Sequence, residues 1–185
     1  MIDALMKETK DHMKSCVDAL QKHLASLRTG KASPRLLDGI TVEAYGARLP
    51  LNQVATLGAP EARMLTVSPF DRTQIHAIEK AILASDLGIT PANDGVIIRL
   101  PIPALNEERR REYVKIAKKH AEEARVAARG VRREANEKLK KAQAAGTITE
   151  DQWHRTEKDV QKLTDDTVAT IDKVVGAKES EIMEV

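Results

Sequence analysis

The chain has 185 residues, of which 31% are charged and only 2% are aromatic. This composition is typical of long helices rather than of a compact aromatic core, and the length allows one domain or two small ones. The single cysteine, Cys16, excludes an internal disulfide. No apolar run reaches the about 20 residues of a membrane span, and the N-terminus has the pattern of neither a signal nor a transit peptide. We therefore expect a cytoplasmic protein.

Residues 2–28 carry apolar side chains at alternating spacings of four and three, which predicts an amphipathic helix of about seven turns. A basic residue, Arg28, and then Gly30 predict its C-terminal end.

All seven prolines fall within residues 31–104. Short runs rich in β-branched residues predict strands there, and Asp71 is placed to cap a single helix over residues 72–85. This stretch is predicted to be a small β/α/β domain. The predicted strands are residues 40–45, 54–57, 64–67 and 96–100.

Residues 106–145 contain no proline and predict one continuous helix about 60 Å long. A narrow seam of mostly small apolar residues, from Tyr113 to Ala142, follows the spacing of a helix packed lengthwise on others. A second row lies away from that seam, within a sector of the helix surface that is roughly 80° wide. This basic row consists of Arg111, Lys115, Lys118, Arg125, Arg129, Arg132, Asn136 and Lys140.

Thr149 and Gln152 have the spacing of a capping box, and a third amphipathic helix follows them. Three helices that cannot bury their seams alone predict a bundle. The predicted fold class is therefore α+β, an antiparallel three-helix bundle with an inserted small α/β sandwich domain. Residues 1–30 and 105–185 form the discontinuous bundle domain, and residues 31–104 form the insertion.

Two segments join the predicted domains. Proline stiffens one of them and glycine loosens the other, which favours a hinge; a junction packed rigidly by Leu36, Leu37 or Leu105 is the alternative. The predicted hinge residues are Gly30, Lys31, Pro101, Pro103 and Leu105.

The five histidines show no metal-ligand spacing, and the chain lacks the G-x-x-x-x-G-K-[ST] phosphate loop. We expect no metal, no cofactor and no enzymatic activity. Residues 106–145 hold thirteen basic and seven acidic side chains, whereas residues 146–185 hold five and ten. The basic row can therefore either contact RNA phosphates or pair with the acidic third helix, and periodicity leaves both open. Gly130, beside Arg129, Arg132 and Arg133, slightly favours a bulky partner, because glycine is unfavourable inside a helix.

Six ordered stretches of the chain are familiar from one protein family: residues 28–40, residues 70–72, residues 79–88, residues 99–110, residues 131–136 and residues 159–165. On these stretches the chain resembles, along its whole length, the ribosome recycling factor family, whose fold is L-shaped with two domains.

The resemblance implies a translation factor that, with elongation factor G and GTP, disassembles the post-termination ribosomal complex and splits the subunits. It implies that the partner binds the GTP and that the bundle docks on large-subunit ribosomal RNA. It also implies that Arg132 is the arginine on which this docking depends most, and that Arg129 and Arg28 lie against the RNA as well. From the basic row and its surroundings we add Arg133, Arg125, Lys118, Asn136 and Lys140. A monomer is expected. There are two alternatives. One is a helical RNA-binding adaptor, which could form oligomers through its seams, and the other is an RNA chaperone acting off the ribosome.

Overall fold

A computed structural model describes residues 1–27 and 29–184. They form two compact units, which we call the helical unit (residues 1–24 and 112–185) and the sheet unit (residues 25–111). The domain bounds stated above stay a prediction. In chain order the elements are α1 (Ile2–Ala25), β1 (Thr41–Ala44), β2 (Ala47–Pro50), α2 (Leu51–Val54), β3 (Ala55–Glu61), β4 (Met64–Pro69), α3 (Ile75–Leu83), β5 (Ala92–Asn93), β6 (Ile98–Pro101), α4 (Glu107–Ala144) and α5 (Glu150–Met183).

The helical unit is a bundle of α1, α4 and α5. All seven buried residues of α4 belong to the predicted seam, and they are six alanines and one leucine. Arg125 of α4 contacts Asp172 of α5, whereas Arg132, further along α4, contacts Gln161, which comes earlier in α5. Helices α4 and α5 are therefore antiparallel, as predicted.

Threonines as well as apolar residues fill the seams. Thr9 in α1 and Thr164 in α5 are buried, and their hydroxyls donate to the carbonyl oxygens of Leu5 and Val160, four residues earlier. A buried hydroxyl without a partner would be destabilising. These local bonds let a β-branched polar side chain occupy a core position.

The sheet unit contains the β1–β2 hairpin and a four-stranded antiparallel sheet in the order β3-β4-β6-β5. Helix α3 contributes Ile75, Ile78 and Ile82 to a core that includes the fully buried Leu65 and Leu100. The prediction of a β-rich part of the chain with one substantial helix is confirmed.

Several predicted bounds are wrong. Helix α1 ends at Ala25 rather than at residue 28, and residues 72–85 are not one helix, because a 3-10 turn (Arg72–Gln74) precedes α3. The strand predicted at residues 96–100 begins at Ile98, because Val96 and Ile97 instead donate backbone hydrogen bonds to the side chain of Asp94 in the turn. In the described part of the chain, no helix is long and apolar enough to cross a bilayer.

Candidate nucleic-acid interface

The basic row lies on a helix whose two ends are defined by its own sequence. At the N-terminus the Asn106 side chain accepts a hydrogen bond from the backbone N–H of Arg109, at 2.8 Å, and Glu107 and Glu108 occupy the first turn, where the helix dipole favours acids. At the C-terminus Gly146 adopts φ +71°, and the Thr147 N–H donates to the carbonyl of Ala142. The 38 residues between them hold the row on a different face from the packing seam, from which Arg125 and Arg132 still reach α5.

Arg125 is committed to the bundle. Its Nε and Nη2 atoms donate to one oxygen of Asp172 on α5, at 2.9 and 2.6 Å, and its Nη1 donates to Glu122. The hydrogen bond with Asp172 is the main cause that raises the pKa of Arg125, and only 24% of its side chain is exposed. For this residue the structure favours the pairing with the acidic third helix over an open RNA contact.

Arg129 is paired more weakly than Arg125 and is more exposed. Its guanidinium lies 3.5 Å from the other carboxylate oxygen of Glu122, with 47% of the side chain exposed. Exposed ion pairs of this kind contribute little free energy, so a phosphate could displace the glutamate at a small loss.

Arg132 has a neutral partner. Its Nη1 donates to the side-chain oxygen of Gln161 on α5, at 3.1 Å, and the Gln161 nitrogen donates to Asp165 at 2.8 Å. Within residues 1–27 and 29–184, no carboxylate lies within ion-pair distance of Arg132. The guanidinium is therefore oriented by an amide while its charge stays uncompensated by direct contact, which is the arrangement that an anion-binding arginine requires.

A groove of about 490 Å³ opens between α4 and α5 beside Arg132. Four basic side chains line it against two acidic ones, Glu137 and Glu157. The basic residues are Arg132, Arg133, Lys140 and Lys158.

The groove brings four of the predicted contact residues together: Arg132, Arg133, Asn136 and Lys140. Lys118 is exposed on the same helix but does not line the groove. Arg28 lies outside the described residues. All these contact assignments stay predictions.

Sequence reasoning missed three residues at this place, Trp153, Lys158 and Gln161, all of them on α5. Gln161 belongs to the stretch 159–165 that carried part of the family resemblance, so the sequence marked this residue but did not indicate what it contacts. Only the packing of α5 on α4 shows that it contacts Arg132.

The predicted hinge residues fall at two connections of the sheet unit. Gly30 adopts φ +80° and lies beside Leu105, whose backbone nitrogen is 3.7 Å from where a Cβ would stand. The backbone N–H groups of Ala32 and Ile102 donate to the neighbouring carbonyls of Ala62 and Arg63 in the β3–β4 turn. Pro101, the last residue of β6, pairs with Met64, so the stretch free of the sheet begins after Ile102.

A sequence model described as "Ribosome recycling factor" matches residues 20–183. A ribosome-recycling factor from Bacillus velezensis is 56% identical over 185 residues, which cover both chains completely. A solution structure of a ribosome recycling factor is 40% identical, with a TM-score of 0.80, over 100% of this chain and 98% of the other. A further structure, 45% identical over both whole chains with a TM-score of 0.69, is described as models for the T. thermophilus ribosome recycling factor and the E. coli elongation factor G bound to the E. coli post-termination complex.

Proposed function

Because this chain belongs to the ribosome recycling factor family, we infer that it is a translation factor acting on the ribosome after termination. With elongation factor G and GTP it disassembles the post-termination complex and separates the subunits, so that ribosomes are used again. The partner binds the GTP. The chain itself is proposed to have no catalytic site and to work in the cytoplasm as a monomer.

The single observation that supports docking by the helical unit is Arg132. Its side chain is oriented by Gln161, and in the described part of the chain it forms no ion pair. Guanidinium groups in this state suit phosphate oxygens, which accept two parallel N–H bonds. We propose that Arg132, supported by Arg129, Arg133 and Lys140, contacts large-subunit ribosomal RNA, with Lys118, Asn136 and Arg28 contributing around it. Arg125 is left with a structural role.

The sheet unit is proposed to meet the protein partner. Residues 31–105 carry seven basic and seven acidic side chains, so this part gains little from RNA electrostatics. We further propose a hinge at Gly30, Lys31, Pro103 and Leu105, with Pro101 as its fixed edge. A dye pair with one label in each unit tests it: energy transfer should report a broad distance distribution, and a single narrow distance would refute the hinge.

Subunit splitting is the decisive experiment. Post-termination ribosomes are mixed with elongation factor G and GTP, with and without this protein, and subunit separation is followed by light scattering. We expect splitting only with the complete mixture, and strongly reduced splitting with Arg132→Ala. Splitting that is independent of the protein would refute the proposal, and co-sedimentation with RNA but not with ribosomes would favour an off-ribosome RNA chaperone.

A further inference from the structure

We propose that the groove between α4 and α5 receives one unpaired nucleotide of RNA, with its phosphate at Arg132 and its base in contact with Asn136 and Trp153. The inference rests on the proposed docking of the helical unit on RNA. It adds a base-contacting site to what would otherwise be a row of phosphate contacts.

Size and charge identify the class of ligand. A volume of about 490 Å³ is in the range of small-ligand sites, and four basic against two acidic side chains make the wall cationic. Trp153 lies at one side of the groove, where its ring stacks on that of His154, with 4.9 Å between the ring centroids, and packs against the apolar cluster that includes Leu139. A cationic groove with one fixed aromatic ring is a common setting for a nucleotide, because Lys and Arg neutralise the phosphate and the ring contacts the base.

Two of the residues that line this groove carry a polar atom without a partner. Asn136 Oδ1 and Trp153 Nε1 are both buried, and neither has a hydrogen-bond partner. In the described part of the chain these are the buried side-chain polar atoms left without one. Such atoms are rare in folded proteins, and finding both at one groove calls for a common explanation.

The two atoms are chemically complementary to a nucleobase. The indole N–H only donates a hydrogen bond, whereas the Asn136 oxygen only accepts one. The Watson–Crick edge of every base presents donor and acceptor atoms side by side, so one unpaired base can satisfy both groups. A bare phosphate ion has acceptors for the indole but, when fully ionised, no donor for the Asn136 oxygen.

Arg132 sets the position of the phosphate. One of its five N–H donors is used by Gln161, which in turn is held by Asp165, so the guanidinium keeps its place at the groove while its other donors remain available. Since Asn136 Oδ1 and Trp153 Nε1 are shielded from water in the free protein, the base reaches them by a small opening of the groove. Trp153 is held by its packing and Arg132 by Gln161, so the movement falls on Asn136.

Conservative substitutions in the complete protein test the proposal. Trp153→Phe removes the indole donor and keeps an aromatic ring, and Asn136→Leu removes the acceptor. Gln143→Leu, a neutral amide on α4 that does not line the groove, is the matched control. We expect each groove variant to bind large ribosomal subunits about tenfold more weakly, the loss typical of one good base contact. The control should bind like the original protein, and all three should melt within a few degrees of it.

The salt dependence separates this proposal from the docking proposal. Loss of a base contact should leave the slope of log affinity against log salt unchanged, whereas Arg132→Ala should reduce its magnitude by roughly one. Unchanged affinity in both groove variants would overturn the nucleotide site while leaving docking intact. Absence of salt-dependent binding by the original protein would overturn docking and the site together.

The single tryptophan offers a direct readout. A labelled single-stranded RNA octamer is titrated at low salt until anisotropy shows saturation, and Trp153 emission is recorded alongside. We expect quenching by the octamer and little change with an octamer of the same length that lacks bases. Equal responses to the two would mean that only phosphates bind, and unchanged emission at saturation would mean that the groove stays empty; either result refutes the proposal.

Discussion

Arg125 and Arg132 lie two turns apart on α4, but their partners on α5 differ in charge. Arg125 contacts the carboxylate of Asp172, and Arg132 contacts the amide of Gln161. The same residue type therefore stabilises the bundle at one position and remains open to an anion at the other.

This difference predicts opposite effects of two alanine substitutions. Arg125→Ala should lower the free energy of unfolding by about 1 kcal/mol, because Asp172 loses its partner, with a smaller effect on ribosome binding. Arg132→Ala should leave the melting temperature nearly unchanged and weaken ribosome binding roughly 30-fold or more, as central interface arginines do. Thermal unfolding and co-sedimentation measure the two quantities. If Arg132→Ala unfolds the bundle, Arg132 is structural and the docking assignment fails.

Asp94 determines a second residue-scale property, in the sheet unit. Its carboxylate accepts hydrogen bonds from the backbone N–H groups of Ile97 and Val96, at 2.7 and 2.9 Å, and from Arg99 at 2.7 Å. These bonds, the backbone ones foremost, lower the pKa of Asp94 from 3.8 to about 2. A lowered folded-state pKa means that the stabilisation is complete above the unfolded value and is lost as the pH falls towards 2.

We therefore expect the β-sheet of the original protein to lose thermal stability between about pH 4 and pH 2, and Asp94→Asn to show a flatter pH profile over that interval. Circular dichroism melting at each pH provides the measurement. Asp86→Asn, an exposed aspartate of the same unit, is the control and should retain the original profile. Identical profiles for Asp94→Asn and the original protein would show that these hydrogen bonds do not control acid stability.

At the scale of the element, glycines within the long helices are the informative feature. Gly130 in α4 and Gly176 in α5 are both interior, and a Cβ built at either meets no atom within 4 Å. Neither glycine is required by packing, although each destabilises its helix by about 1 kcal/mol relative to alanine.

Substitutions of the two glycines test helix stability and ribosome binding separately. Gly130→Ala and Gly176→Ala should each raise the free energy of unfolding by about 1 kcal/mol, measured by denaturant titration. Only Gly130 lies next to Arg129 and Arg132, so only Gly130→Ala should weaken ribosome binding if the bare backbone allows RNA to approach closely. Equal binding by both variants would show that Gly130 has no such role.

At the scale of the whole molecule, a net charge of only +2 conceals an uneven distribution. Part of the surplus on α4 is neutralised by the acidic α5, as at Arg125 with Asp172, whereas Arg111 pairs with Glu107 of its own helix. Four basic side chains of the row have no ion-pair partner among the described residues: Lys115, Lys118, Arg132 and Lys140.

The unpaired charges set the expected salt dependence of binding. If these four cations each neutralise one phosphate, log affinity for the large subunit should fall against log salt with a slope of about −3. Filter binding at several salt concentrations measures it. A slope near zero would mean that the basic row does not anchor the protein. A slope of about −5 to −6 would mean that the three ion-paired arginines of the row also contact RNA.

The sequence by itself determined the three long helices, the β-rich insertion and the family. Helix periodicity, caps and proline placement are local properties, and they act within a few residues of one another. The buried alanines of α4 could be predicted for that reason. The end of α1 and the 3-10 turn before α3 could not, because apolar spacing and a capping residue do not distinguish the first or last turn of an α-helix from a 3-10 turn.

Only the tertiary structure decided which members of the basic row pair with a side chain of another helix. Asp172 is 47 residues from Arg125 and Gln161 is 29 residues from Arg132. No spacing rule along one helix shows which of its cations will meet an acid on another. The groove and its unpartnered atoms on Asn136 and Trp153 depend on the same packing. Charge and periodicity therefore predict the interface on α4, and the contacts of α5 show which of its side chains remain without an acidic partner.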